Sequence, residues 1–209
     1  MAVATIPERK YFVKILNLYA GIGGNRKLWG DNHEVTAVEF EPSIAKIYQD
    51  FFPNDKVIVA DAHQYLLDHF KEFDFIWASP PCPSHSRLRL YHGGDMYPDM
   101  SLYQEIIFLR QWCKGKWLIE NVTPYYDPLI APTQSIQRHL FWSNFEISKI
   151  EVAHNGTCKI RSEREHLTEL TGFNIDGYSG VDKRKLLRNC VLPEMGLHVF
   201  ECMKASINE

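Results

Sequence analysis

Val13-Lys14-Ile15-Leu16-Asn17-Leu18-Tyr19, running into Ala20-Gly21-Ile22-Gly23-Gly24, is the stretch on which the architecture turns. The aliphatic run over residues 13–19 reads as a buried strand, and the glycines after it as a tight turn. Glycines there let the backbone approach a ligand closely. A helix pattern resuming at residues 25–29 would also aim helix N-terminal amides at it. Outward from this turn the rhythm repeats. Strand-like runs at residues 35–40, 57–60, 73–78 and 116–119 alternate with helix patterns at 42–51, 64–70 and 102–112. Regular succession of this kind predicts βαβ units, an α/β chain with a mostly parallel sheet covered by helices on both faces. Such sheets bind ligands at the carboxyl ends of their strands.

The 209 residues suffice for one domain with a substantial core, and the composition, 45% hydrophobic and 23% charged, is that of a globular protein. There is no apolar run near the roughly 20 residues that span a bilayer. The N-terminal segment has no apolar stretch after a basic start, so no secretory signal is expected. The five cysteines are accordingly expected to be reduced thiols of a soluble cytoplasmic protein. Their odd count and wide spacing weigh against a tetrahedral zinc site, and no metal is expected. The net charge of −3 is not that of a protein held to nucleic acid by phosphates alone, so any basic surface must be concentrated on one face. Residues 1–154 are expected to form a catalytic and cofactor-binding domain. Residues 155–185, polar and without strand-helix rhythm, read as an insert, and residues 186–209, with the apolar segment 190–200, as a return to the first domain.

The chemistry-bearing residues fall at the strand ends. Beyond the glycine turn, Glu39 ends the second strand, where a carboxylate can accept from ribose hydroxyls, and Asp61 ends the third, where one can accept from an adenine amine. Singly, each is equally a helix cap or a solvated strand end. On three successive strand ends they favour an adenosine-containing cofactor. The fourth strand runs into Ala78-Ser79-Pro80-Pro81-Cys82-Pro83-Ser84, where prolines stiffen the backbone around one thiol, an arrangement suited to covalent catalysis. In Trp117-Leu118-Ile119-Glu120-Asn121-Val122 a carboxylate appears as an apolar strand ends, able to donate or accept a proton.

The glycine turn, Glu39-Phe40, Asp61, Pro80-Pro81-Cys82 and Glu120-Asn121-Val122 occur in the order and approximate spacing of the cytosine-C5 DNA methyltransferases, which this chain resembles. Arg188-Asn189-Cys190-Val191 looks like their last motif. The resemblance covers residues 15–144 and 188–200, and the compact size is closer to phage-encoded members than to the longer restriction-modification enzymes. It implies a Rossmann-like class I S-adenosylmethionine-dependent methyltransferase fold, with residues 155–185 as a small target-recognition region. It further implies S-adenosylmethionine held by Tyr19, Ala20, Gly21, Gly23, Gly24, Glu39, Phe40, Asp61, Ala62, Pro81, Asn189 and Val191. Cys82 is expected to add to C6 of a cytosine while Glu120 serves N3. Inside a duplex the base must first be flipped out, costing a few kcal/mol. Double-stranded DNA is the expected partner and a monomer the expected state, in the cytoplasm of a bacterium or phage-infected host.

Ser84, Arg87, Arg89, Asn121 and Gln137 are expected on the substrate side. The polar loop 84–100 reads either as a flap that closes over the base or as an ordinary solvated loop. The family's Gln-x-Arg-x-Arg strand corresponds here to Ser135-Ile136-Gln137-Arg138-His139-Leu140-Phe141-Trp142. Strand alternation puts Gln137 and His139 on one face and Arg138 on the other, so either His139 or Arg138 takes the role of the last arginine. In the insert, Arg161, Arg164, Lys183, Arg184 and Lys185 meet phosphates or merely solvate a loop, and its small size suggests a short target sequence. Three other readings stand beside this one. An RNA cytosine-C5 methyltransferase carries the same motifs. An exocyclic amino methyltransferase has an aromatic residue after Pro-Pro, which Cys82 opposes. A non-catalytic DNA-binding module would have no use for the reactive groups.

Overall fold

A computed structural model describes residues 12–87, 97–151 and 162–207. Seven strands form one sheet in the order β3-β2-β1-β4-β5-β7-β6: β1 (Lys14–Leu18), β2 (Glu34–Glu39), β3 (Lys56–Val59), β4 (Phe75–Ala78), β5 (Lys116–Val122), β6 (Gln134–Ile136) and β7 (His139–Ser143). The first five run parallel, and β7 is antiparallel to both its neighbours. This is the Rossmann-like class I methyltransferase fold expected from the sequence. The strand order reverses between β1 and β4, and a crevice opens at such a switch point. The glycine turn leaves β1 on one side of it, and the Pro-Pro-Cys turn leaves β4 on the other.

Strand alternation divides the core into two layers. Leu16, Leu18, Ile76, Ala78 and Ile119 face α2 (Ala62–His69) and α3 (Ser101–Trp112). Ile15, Val35, Phe75, Trp77, Leu118 and Phe141 face the opposite way, onto Met195, Val199, Phe200 and Met203 of α6 (Pro193–Ile207). On that second side, α1 (Pro42–Phe51) begins at a proline, whose fixed φ suits the first helical turn, and buries Ala45, Ile47 and Tyr48. Asp61 caps α2 by accepting from the Gln64 amide at 2.8 Å.

No regular helix follows the glycine turn. Residues 21–29 close only short turns, Gly23 N–H to Ala20 O and Trp29 N–H to Arg26 O. Five consecutive residues, 22–26, are buried, and the last three of them are held from different sides. The Asn25 side-chain amide donates to Asn17 Oδ1 at 2.8 Å. Arg26 makes a two-pronged pair with Asp55, Nε at 2.9 Å and Nη2 at 3.0 Å. A Cβ on Gly24 would strike the carbonyl of Val191 and Cys190, and one on Gly196 would strike the Asn25 backbone. The two chain segments therefore touch backbone to backbone. Trp29 completes the clasp, donating its indole N–H to Gly196 O at 3.1 Å and stacking on Phe200. The helix N-terminus expected to face a ligand is accordingly absent, and the backbone amide of Gly21 is the group presented instead.

Arg26→Met leaves the Asp55 carboxylate buried with only the Tyr48 hydroxyl, at 2.8 Å, among the side chains that bonded it before. Breaking one side of a buried pair costs about 3–5 kcal/mol, and a fall of that size in the urea unfolding free energy is expected.

The insert over residues 155–185, read from the sequence as lacking rhythm, contains α4 (Glu163–Thr171) and the first turn of α5 (Lys183–Asn189) among its described residues. Phe173 and Ile175 from this part, and Leu187 just beyond it, pack with Ile22 and Ile47 of the N-terminal half.

Candidate active site

The cofactor side is built on the ends of β1, β2 and β3. Glu39 accepts from the Gly21 amide through Oε2 at 2.9 Å and from the Glu41 amide through Oε1 at 3.0 Å. Each carboxylate oxygen has a second lone pair, so the group has acceptor capacity left for hydroxyl groups while it fixes the turn. Phe40 beside it is 72% exposed, an aromatic ring presented at the expected cofactor side. Asp61 spends Oδ1 on the cap of α2, and Ala62 behind it is buried. A Cβ at Gly21 would meet no heavy atom within 4 Å, so the turn faces open space. Tyr19, at φ 56°, precedes it and donates its hydroxyl to Glu105 Oε1 at 2.5 Å. Glu105 Oε2 is buried without a partner among the described residues. Val191, following Asn189 at the end of α5, closes the back of the turn against Gly24. An open turn, a ribose-type carboxylate, an exposed aromatic ring and a spare buried acceptor fit an adenosine-bearing methyl donor.

The reacting side is assembled where β4 and β5 lie parallel, with Ala78 beside Ile119. Asn121 on β5 donates its side-chain amide to Pro80 O at 2.9 Å and accepts from the Val122 amide at 2.9 Å. It thus clamps the Pro-Pro-Cys turn to the strand that carries Glu120. Pro81 is exposed at the tip, and Cys82 is half-buried, its carbonyl accepting from the His85 and Ser86 amides. Burial first, and then the Glu120 carboxylate, push the Cys82 thiol above its ordinary value, while Arg138 and Lys185 pull it down. The thiol and Glu120 are therefore in electrostatic reach of one another.

Glu120 is buried against β7, its Oε1 2.5 Å from His139 Nδ1. The register explains the contact. Glu120 pairs with Phe141 and Val122 with His139, so Glu120 and His139 are diagonal neighbours on one face of the sheet. Arg138 Nε–H points at His139 Nε2 at 3.4 Å, which leaves the imidazole proton on Nδ1, donated to Glu120. The continuous strand expected over residues 135–142 is instead a hairpin. Ile136 pairs with His139, and Gln137, at φ 54°, and Arg138 form its two-residue turn. The alternation that placed Gln137 beside His139 does not hold across that turn. His139 meets the acid, and Arg138 stands exposed at the tip, donating Nη2 to Arg188 O at 3.2 Å.

The loops beyond these strands are laced together. Ser84 Oγ accepts from the Asp99 amide at 3.1 Å, bringing the two ends of the thiol loop to one point. Arg87 is exposed and reaches Pro124 O at 3.4 Å, whereas Arg89 lies outside the described residues, as does Arg161. A shallow cleft of about 460 Å³ opens here, lined by Arg87, Pro124, Tyr125, Tyr126 and Asp127. Of the insert's cations, Arg184 pairs with Glu163, Arg164 with Asp176, and Lys183 donates to Asp176 O. Lys185 is exposed on the side of α5 whose charge reaches Cys82.

Two site residues escaped the sequence reading, His63 and Glu105. Both lie in ordinary amphipathic helices, and the bonds that join them, His63 to Glu105 and Glu105 to Tyr19, link segments far apart in the chain. The helix α4 had a readable signal, the capping box Ser162-x-x-Glu165 with Gly172 at the other end.

A family model described as C-5 cytosine-specific DNA methylase matches residues 13–127, more than half of the chain. No curated protein sequence matches. Among solved structures, a hypothetical protein of Thermus thermophilus is 14% identical, with 63% of this chain and 74% of that one covered and a TM-score of 0.43. A DNMT2 mutant from Spodoptera frugiperda is 26% identical, covering 56% and 37%, with a TM-score of 0.39. A SAM-dependent methyltransferase from Agrobacterium tumefaciens is 15% identical, covering 56% and 40%, with a TM-score of 0.40. The chain thus spans well under half the length of the last two.

Proposed function

The chain belongs to the C-5 cytosine-specific DNA methylase family, and we propose that it methylates C5 of cytosine in double-stranded DNA through a covalent bond to Cys82. The observation that carries this reading is the Asn121 clamp, which holds the thiol turn to the strand bearing Glu120. S-adenosylmethionine, the methyl donor of the family, supplies an electrophilic methyl group on a sulfonium sulfur. Glu39, Phe40, Asp61 and the Gly21 amide are the residues that would hold it. Cytosine C5 is a poor nucleophile. The Cys82 thiol releases its proton to solvent and the sulfur forms a bond to C6, while the Glu120 carboxylate, having taken up a proton, passes it to N3, and the ring electrons then reside at C5. Once C5 has gained its methyl group, its proton leaves to a base, the C6–S bond breaks, and N3 returns its proton to Glu120. His139 keeps Glu120 oriented throughout.

The local charge supports a nucleic-acid substrate despite the overall −3. Arg138 and Lys185 are both exposed and both lie within electrostatic reach of the thiol, so two cations stand near the reacting sulfur for phosphates to meet. Tyr125 and Tyr126 in the neighbouring cleft offer rings of the kind on which unstacked bases settle. Lys185→Ala is expected to weaken binding similarly for all sequences and to reduce the slope of log K against log salt by about 1, measured by fluorescence anisotropy.

The reading is tested by incubating the protein with methyl-labelled S-adenosylmethionine and, side by side, duplex DNA and RNA of random sequence. Label at cytosine C5 of DNA, in a short sequence context, is the expected outcome. Label in RNA alone would replace the substrate class, and label on an exocyclic amine would overturn the reaction.

A further inference from the structure

The sheet-facing side of α3 carries Leu102, Tyr103, Ile106 and Leu109, and among them Glu105, whose side chain has no exposed surface. A carboxyl is costly to bury there unless bonded, and an apolar residue would serve packing better. Its contacts point in one direction. Oε1 accepts the Tyr19 hydroxyl at 2.5 Å and lies 2.9 Å from His63 Nδ1, while Oε2 accepts nothing among the described residues. Tyr19 is the residue that joins β1 to the glycine turn, in a left-handed backbone conformation that a non-glycine residue holds only under constraint. His63 follows Ala62, next to the Asp61 cap. Burial and the Glu105 charge push the Tyr19 hydroxyl far above its ordinary range, so it remains a donor. Asp99, whose charge also reaches Glu105, is bonded through its amide to Ser84 of the thiol loop.

We propose that Glu105 is a positioning residue for the methyl donor: it fixes Tyr19 through the hydroxyl and the start of α2 through His63, so that the wall of the cofactor site is formed before the cofactor arrives. The inference rests on the cofactor assignment made above. Packing alone gives Glu105 no reason to be acidic, and its two partners belong to the two segments, one after β1 and one after β3, between which an adenosine would lie.

The test uses S-adenosylhomocysteine as probe, with calorimetric Kd and thermal midpoint measured for the wild type, Tyr19→Phe, Glu105→Leu, Glu105→Gln and the Tyr19→Phe/Glu105→Leu double variant. Tyr19→Phe and Glu105→Leu are each expected to weaken binding roughly five- to tenfold, the effect of one hydrogen bond. The double variant should be no weaker than the weaker single one, because both remove the same link. Glu105→Gln keeps a carbonyl acceptor and should recover most of the affinity. Glu105→Leu is expected to leave the thermal midpoint unchanged or raised, which separates positioning from a structural role. Wild-type affinity in Tyr19→Phe, or losses that multiply in the double variant, would overturn the inference; Tyr19→Phe decides by itself should a Glu105 variant not fold. A wild type that takes up no S-adenosylhomocysteine would instead sink the cofactor assignment, and this inference with it.

Discussion

Cys82→Ser is expected to reduce methyl transfer by more than about 10³-fold, the scale seen when a nucleophile is removed from an otherwise intact site. The substitution exchanges one atom on a turn whose position is set by Pro80, Pro81 and the Asn121 clamp, so neither the fold nor uptake of S-adenosylhomocysteine should change. What changes is the chemistry at C6. A hydroxyl is a much weaker nucleophile than a thiolate, and it would need a dedicated base to deprotonate it. Single-turnover transfer from labelled donor measures the loss. A second measurement isolates the covalent step. With 5-fluorocytosine in the substrate, the C5 fluorine cannot leave as a cation, so the C6–S bond persists once the methyl group has been delivered. The wild type should remain attached to such DNA under denaturing conditions, and Cys82→Ser should not. Full activity in the serine variant would end the covalent mechanism.

Glu120→Gln is expected to lower kcat by about 10²–10⁴-fold, the usual contribution of a positioned acid or base. The same substitution should make the Cys82 thiol react faster with iodoacetamide. The direction follows from charge. The Glu120 carboxylate disfavours the thiolate and, after burial, is the largest influence holding the thiol above its ordinary value. A neutral amide in its place moves the thiol's titration toward lower pH, increasing the thiolate fraction at any pH below it. Arg138→Ala should do the reverse, slowing alkylation, because Arg138 pulls the thiol down. A slower methyltransferase with a faster-alkylating cysteine would separate proton transfer to the base from activation of the sulfur. Parallel falls in both rates would mean that Glu120 does no more than hold the turn.

Much of the sheet was legible because its strands are buried on both faces and flanked by turn residues. α1 has the predicted bounds, with Pro42 marking its start. β5 extends three residues past the predicted 119, because Glu120 and Asn121 look like the end of a strand until β7 is known to pair with them. The hairpin at Gln137-Arg138 was not legible. Neither residue marks a turn, and the period-two pattern on either side runs through it unchanged. Its consequence was local but decisive, for it is the hairpin register that sets His139 against Glu120 and sends Arg138 outward. The turns over residues 21–29 were hidden for another reason. Their shape depends on Val191 and Gly196, which no local pattern can announce. α4 was faint because it buries little, only Thr171 fully, so its apolar stripe is weak despite clear caps. Glu105 and His63 show the limit most plainly, since their meaning lies in a bond to a residue 86 positions away for one of them.

The backbone clasp between Gly24-Asn25 and residues 190–196 imposes an order of events on biosynthesis. Trp29 and Gly196, which bond across it, are 167 residues apart, so the glycine turn emerges from the ribosome long before its backing does. At ordinary translation rates that interval is roughly 8–33 seconds. In its later part, once Glu120 has been made, the growing polypeptide displays both Cys82 and Glu120 yet lacks the rear of its donor pocket. Nascent chains should therefore be inert toward the donor, gaining competence in a single late step when α6 docks.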